Sequence, residues 1–404
     1  DLWQRPFFNR VRYFFFYCTA NHGEIRPFGD SAEGGGPGAR GGSGYAELMS
    51  FHAHRYNDPY IGWWVKQIPG YRGQKGGFGA LLHEDELPAK VPADLPDSRV
   101  FKGVGWAGLH SDLTQPERDT CLIFKSSPYG SVSHSHADQN GFAIMKGGTA
   151  LAIPSGYYGP SYGKPHHAQW TRATKANNCI LVNGQGQKIR SADAVGAIVD
   201  FKDAAGYSYL AGDATPAYMG RLNKWIRRIL FLRPGLFLLL DEIEAPTQSK
   251  YQWLLHAFEK MEIQGGQVIS HRRGATLDVN LACSHGLTLT QTDQFDTPYN
   301  YSIPKAYHRK KANHWHVTAE TAKESKKTRI AAIMAVNGAS EKFDVKLQHT
   351  SGWFGVTAAG DFGKVEGWIR IDESGALPES FAGTTISRQI NLWGRSRDGE
   401  IFFT

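Results

Sequence analysis

Cysteine is scarce in this sequence, with four among 404 residues. Cys18, Cys121, Cys179 and Cys283 are widely spaced and form no C-x-x-C, which excludes a zinc ribbon and a dense disulfide framework. Buried free thiols are expected instead. Long apolar runs are also missing: the nearest, Ile229–Leu240, is interrupted by Arg233, Pro234 and Gly235, so no membrane partner is expected. No zinc-finger, RNP or helix-turn-helix pattern occurs, and the basic residues are scattered rather than interleaved with aromatics, so no nucleic-acid partner is expected either.

What the chain does have is glycine and aromatic residues. Its 46 glycines, 11 tryptophans, 17 tyrosines and 22 phenylalanines lean towards turn-rich β structure with surfaces suited to sugars. The net charge of +7 favours an acidic partner, or else reflects an ordinary solvated basic surface.

Residues 1–75 read as a helical segment. Phe7, Phe8, Val11, Phe14, Phe15 and Cys18 follow a helical period, as do Tyr45, Leu48, Met49, His52 and Tyr56 in a stretch reaching to about Ile68. The sequence opens D-L-W-Q-R-P-F-F, and this apolar first helix needs neighbours, so the chain is expected to begin inside a larger helical domain. A glycine-dense stretch between the two helical patterns reads as a loop, flanked by Asn21, His22, Glu24 and Asp30 in turn or sugar-contacting roles. Residues 76–98, with P-A-K-V-P-A-D-L-P-D, read as an extended linker. Residues 99–404 then carry short runs of Val, Ile, Phe, Leu and Trp between glycine and asparagine turns, as antiparallel sheets require. The fold class is α+β, with a large antiparallel β-sandwich after the helices.

Polar chemistry concentrates in residues 131–187. His134, His136, His166, His167, Asp138, Arg172, Asn177, Asn178 and three tyrosines lie in a stretch with strand rhythm. Imidazoles beside a guanidinium and phenols suit an anionic substrate, because they can donate to a carboxylate and move a proton near neutral pH. On a strand His134 and His136 would share a face, and one of them would then be structural. Trp170, Tyr157 and His166 are candidates to stack on sugar, with Arg172, Asn177 and Asn178 as donors to carboxylate or sulfate; core packing of Trp170 is the alternative. His256, within W-L-L-H-A-F, is expected to be a satisfied core histidine.

The order H-S-H-A-D, then A-I-P-S-G-Y-Y, H-H-x-x-W-T-R-x-T-x-A-x-N and V-N-G-Q-G-Q resembles the heparinase II/III-like polysaccharide lyases, in the branch of exolytic alginate, heparin and broad glycosaminoglycan lyases. The resemblance implies the final helices of an (α/α) toroid followed by the β domain, with the cleft between them. It implies β-elimination on a uronic-acid polymer, a glycosaminoglycan or alternatively alginate, in a periplasmic or secreted bacterial enzyme. It points to His134 as the β-domain histidine that reaches the cleft. The acid and base of relatives lie upstream of anything matched here, so either a separate toroid segment supplies them or Tyr157, Tyr158 or His167 takes the role. His136 matches a metal ligand of metal-containing relatives, but their other ligands, an aspartate and a histidine, are Pro154 and Asn177 here. No cofactor is therefore expected to be required; a divalent metal such as zinc would need a different set, to which Asp138 could contribute. A non-catalytic carbohydrate-binding β-sandwich is the competing reading.

Overall fold

The structure, a computed structural model, describes residues 2–30, 43–71, 87–157, 163–299, 312–339, 341–374 and 390–404. The glycine-dense residues 31–42, the first part of the expected linker, Tyr158 and Tyr162 lie outside the described residues.

Helix α1 spans Pro6–Cys18, with proline in the first turn where its missing N–H costs nothing. Its buried side is Arg12, Phe16, Tyr17 and Cys18, while Phe7 is 67% exposed. Phe14 is partly buried, edge-on against Phe101 and Trp106. The second helical stretch is two helices, α2 (Ser43–Tyr56) and α3 (Pro59–Lys66). Asn57 is left-handed at φ 47°, and Asp58 Oδ1 then caps α3 by accepting from the Tyr60 and Ile61 N–H groups. Asp58 Oδ2 also accepts from Arg12 Nε at 2.7 Å, which ties α1 to α3.

Among the described residues the strands form four antiparallel sheets. The first is a meander of β1 (Ser98–Phe101), β2 (Trp106–His110), β3 (Thr120–Lys125), β4 (Gly141–Lys146) and β5 (Thr149–Ala152). The β4–β5 hairpin turns on Gly147 and Gly148, both at positive φ, as the sequence pattern predicts. Because side chains alternate along a strand, Cys121, Ile123, Ala143 and Met145 join the core shared with the helices while Leu122, Phe124, Phe142 and Ile144 face the main core.

An eight-stranded sheet forms the centre, and the run Ile229–Leu240 is its middle hairpin, Lys224–Leu232 paired with Leu236–Ser249. Ile229, Phe231, Phe237 and Leu239 face the first sheet's side, whereas Leu230, Leu232, Leu236, Leu238 and Leu240 face a C-terminal five-stranded sheet through Phe354, Val356, Ile369 and Leu392. Burial on both faces explains the continuous apolar run. No described helix is long and apolar enough to cross a membrane. The layers approach closely at Gly367, where a Cβ would come within 2.4 Å of Leu238. Three cysteines are buried free thiols, and Cys283 is partly buried.

Candidate active site

Three segments far apart in the sequence converge on one carboxylate. Asp30, 8% exposed, lies in the irregular segment that follows α1. Its Oδ2 accepts from His134 Nδ1 at 2.5 Å, and its Oδ1 accepts from His136 Nε2 at 2.9 Å and from His167 Nε2 at 2.6 Å. His134 and His136 belong to the loop between β3 and β4, not to a strand. The two rings therefore diverge: the His134 side chain is 70% exposed and that of His136 1%. Ser133, left-handed at φ 51°, immediately precedes the outward His134.

Buried donors hold this loop in place. Arg172, fully buried, donates from Nη2 to Ser131 O at 2.8 Å and Ser135 O at 3.0 Å, so it grips the chain on both sides of His134. Its own carbonyl accepts from Ala137 N at 2.9 Å. The Ser131 hydroxyl donates to Lys188 O at 2.7 Å, and the Gln139 amide donates to Gly130 O and Ala194 O. Lys125 and Asp138 form a buried ion pair, and Arg227 clasps Asp241 through two 2.8 Å bonds while donating to Asn140 O and Asn178 O. His167 lies on the single helical turn His167–Thr171 just before Arg172.

The electrostatics centre on Asp30. Burial by itself would raise its pKa, but the bonds from His136, His167 and His134 outweigh that and hold the carboxyl well below the usual range. Gly163 N–H donates to His167 Nδ1 at 3.0 Å, so the proton of this ring sits on Nε2 and points at Asp30. Burial holds the His136 pKa down, with Asp30 opposing it. Three N–H groups thus share one ionised carboxylate.

A profile described as heparinase II/III-like, C-terminal, matches residues 93–379. The chain belongs to the heparinase II/III-like C-terminal family. Among solved structures it is similar to a heparinase III described as the BT4657 gene product, with TM-score 0.64 and 14% identity over 90% of this chain and 52% of that one. It is similar too to the heparan sulfate lyase HepC from Pedobacter heparinus, with TM-score 0.62 and 15% identity over 86% of this chain and 50% of that one. A further heparinase III gives TM-score 0.60 and 13% identity over 90% and 55%. At such identities the likeness establishes the fold, and the chain spans about half the length of these structures. No curated protein matches it in sequence.

Within this heparinase-like fold most of the residues expected to contact a ligand are buried and bonded to protein groups. Arg172, expected to pair with substrate, spends Nη2 on loop carbonyls. Asn178 donates to Phe142 O and Ile153 O and accepts from His256 N, while Asn177 donates to Ala173 O; both are buried. Trp170 and Tyr157 are 4% exposed and pack with Phe295 in an aromatic cluster. His166, also 4% exposed, bridges Tyr157 N and Thr297 O. His167, expected to act directly as acid or base, is fully buried, with its Nε2 bonded to Asp30 Oδ1. His256 is the buried, bonded core histidine expected.

The metal that some family members hold does not fit the groups present. Pro154 offers no side-chain ligand, Asn177 donates its Nδ2 to Ala173 O and offers only a neutral amide oxygen, a poor ligand beside imidazole, and one oxygen of Asp138 is paired with Lys125. Asp30, His136 and His167 do bring one ligand atom each to within 4.8 Å of one another. A neutral His167 binding metal through Nε2 would need its proton on Nδ1, where the Gly163 N–H already points.

Asp30 is the residue that sequence reasoning valued too low. Its only signal is its place beside the glycine-dense stretch, where a turn role is equally natural.

Proposed function

We propose that the protein carrying this chain is a polysaccharide lyase that cleaves a uronic-acid polymer by β-elimination, with His134 on the substrate. The observation that carries this reading is the exposed His134 imidazole, hydrogen-bonded at 2.5 Å to a buried carboxylate on a loop that Arg172 clamps, within a heparinase-like β domain. In the reaction the C5 proton leaves, its electron pair forms the C4–C5 double bond, and the C4 oxygen departs with a proton. Neutral imidazole suits the proton transfer, and donors around the uronate carboxylate stabilise the charge that builds there. Tyr158, next to buried Tyr157, is proposed as a further proton donor. The remaining acid–base groups come from a helical toroid of which α1–α3 form the last part.

A glycosaminoglycan is the preferred substrate class, in keeping with the net charge of +7, and alginate is the alternative. The setting is the bacterial periplasm or exterior, and no cofactor takes part. The test is a digest panel of heparin, heparan sulfate, chondroitin, hyaluronan and alginate, read by ultraviolet absorbance of the unsaturated uronate. Binding of one polymer without any product favours a carbohydrate-binding module instead.

A further inference from the structure

Asp30 comes from the segment after α1 and is bonded to three histidines of the β-domain loops, yet only one of those rings is exposed. We infer that Asp30 is the positioning residue of this site: it fixes the proton of His134 on Nδ1 and so leaves Nε2 as the nitrogen that takes the substrate's proton. This rests on the lyase reading above and adds a residue to it.

The geometry argues the point from both oxygens. Oδ1 is shared by two buried rings, His136 and His167, and the Gly163 contact fixes the His167 proton on the side of Asp30. The carboxylate is thereby held by groups that never meet solvent, and its second oxygen is presented to His134 Nδ1. An ionised carboxylate only accepts, so Nδ1 must donate. When Nε2 forms its bond to the C5 proton, the C5–H pair becomes the new double bond and the C4–O pair leaves with the glycosidic oxygen, which takes a proton from a separate acid. The imidazolium produced is stabilised by Asp30 a hydrogen bond away.

The decisive variant is Asp30→Asn. With the amide oxygen in the place of Oδ1, His136 and His167 keep their acceptor, so the fold is retained. The amide NH₂ then faces His134 Nδ1 and can only donate, which drives the His134 proton to Nε2. Two readouts are made on the full-length protein: ¹⁵N NMR of the imidazoles, assigned by the loss of signal in His134→Ala, and steady-state kinetics on the polymer found active. The expected result is an Nδ1–H tautomer in the wild type, an Nε2–H tautomer in Asp30→Asn, and a kcat about a hundred- to ten-thousand-fold lower with KM little changed. Full kcat in Asp30→Asn, or the same His134 tautomer in both proteins, overturns the inference. If the wild type turns over no uronate polymer, the lyase reading fails on its own, and the tautomer comparison still decides whether Asp30 sets the ring.

Discussion

His134 Nδ1 and the Asp30 carboxylate meet at 2.5 Å across 104 residues of sequence, joining the segment after α1 to the loop between β3 and β4. His134 is the exposed member of the pair, with a 70% exposed side chain. Its replacement by alanine should lower the melting temperature only modestly, by the loss of one of the three donors to Asp30, about 1 kcal/mol for a hydrogen bond. Turnover should fall at least about a hundredfold. Near-normal rates in His134→Ala would remove this imidazole from the chemistry.

Arg172 should behave as a structural residue. Removing it strands the Ser131 and Ser135 carbonyls in a buried place, at a cost of about 1–3 kcal/mol for each unsatisfied group. Urea denaturation of Arg172→Ala should show that loss. A variant with wild-type stability and a raised KM would instead return Arg172 to the substrate.

Elemental analysis after dialysis should find no stoichiometric zinc, because Gly163 N–H occupies the nitrogen of His167 that a metal-bound ring would need to protonate. One retained zinc per chain would mean that His167 turns and Asp30, His136 and His167 become ligands.

The buried pair of His110 and Asp119, 2.6 Å apart, links β2 to α1 through the bond of His110 Nε2 to Tyr17 O. Burial alone would lower the His110 pKa, but Asp119 and the Tyr17 carbonyl raise it above the ordinary value. Burial alone would raise Asp119, but His110 and the Ser111 and Asp112 donors hold it low. The raised histidine contributes stability that is complete below its unfolded pKa and is lost as pH rises through its folded value. The depressed carboxylate contributes stability that is complete above its unfolded pKa and is lost as pH falls through its folded value. Melting temperature should therefore decline on both sides. Asp119→Asn, which removes the carboxylate that His110, Ser111 and Asp112 share, should lower the melting temperature and flatten its decline at acid pH; an unchanged melting temperature and pH profile would exclude this contribution.

The β domain was legible because its short apolar runs are separated by local glycine turns; Gly147 and Gly148 mark their hairpin without any tertiary information. Helix α1 was legible for the same reason, from the period of its aromatics. The site was legible only as a region. His134 and His136 share no strand face because Ser133 takes a left-handed turn, and Arg172 faces inward because two carbonyls of the His134 loop, Ser131 O and Ser135 O, accept from its guanidinium. Asp30 was out of reach, since its partners are set by packing between segments more than a hundred residues apart.

The most direct measurement is formation of unsaturated uronate from the polysaccharide panel by the full-length wild-type protein and by His134→Ala at matched folding. The account predicts absorbing product from at least one uronic-acid polymer with the wild type, and almost none with the variant. Absence of product from every polymer, or equal product from both proteins, would contradict it.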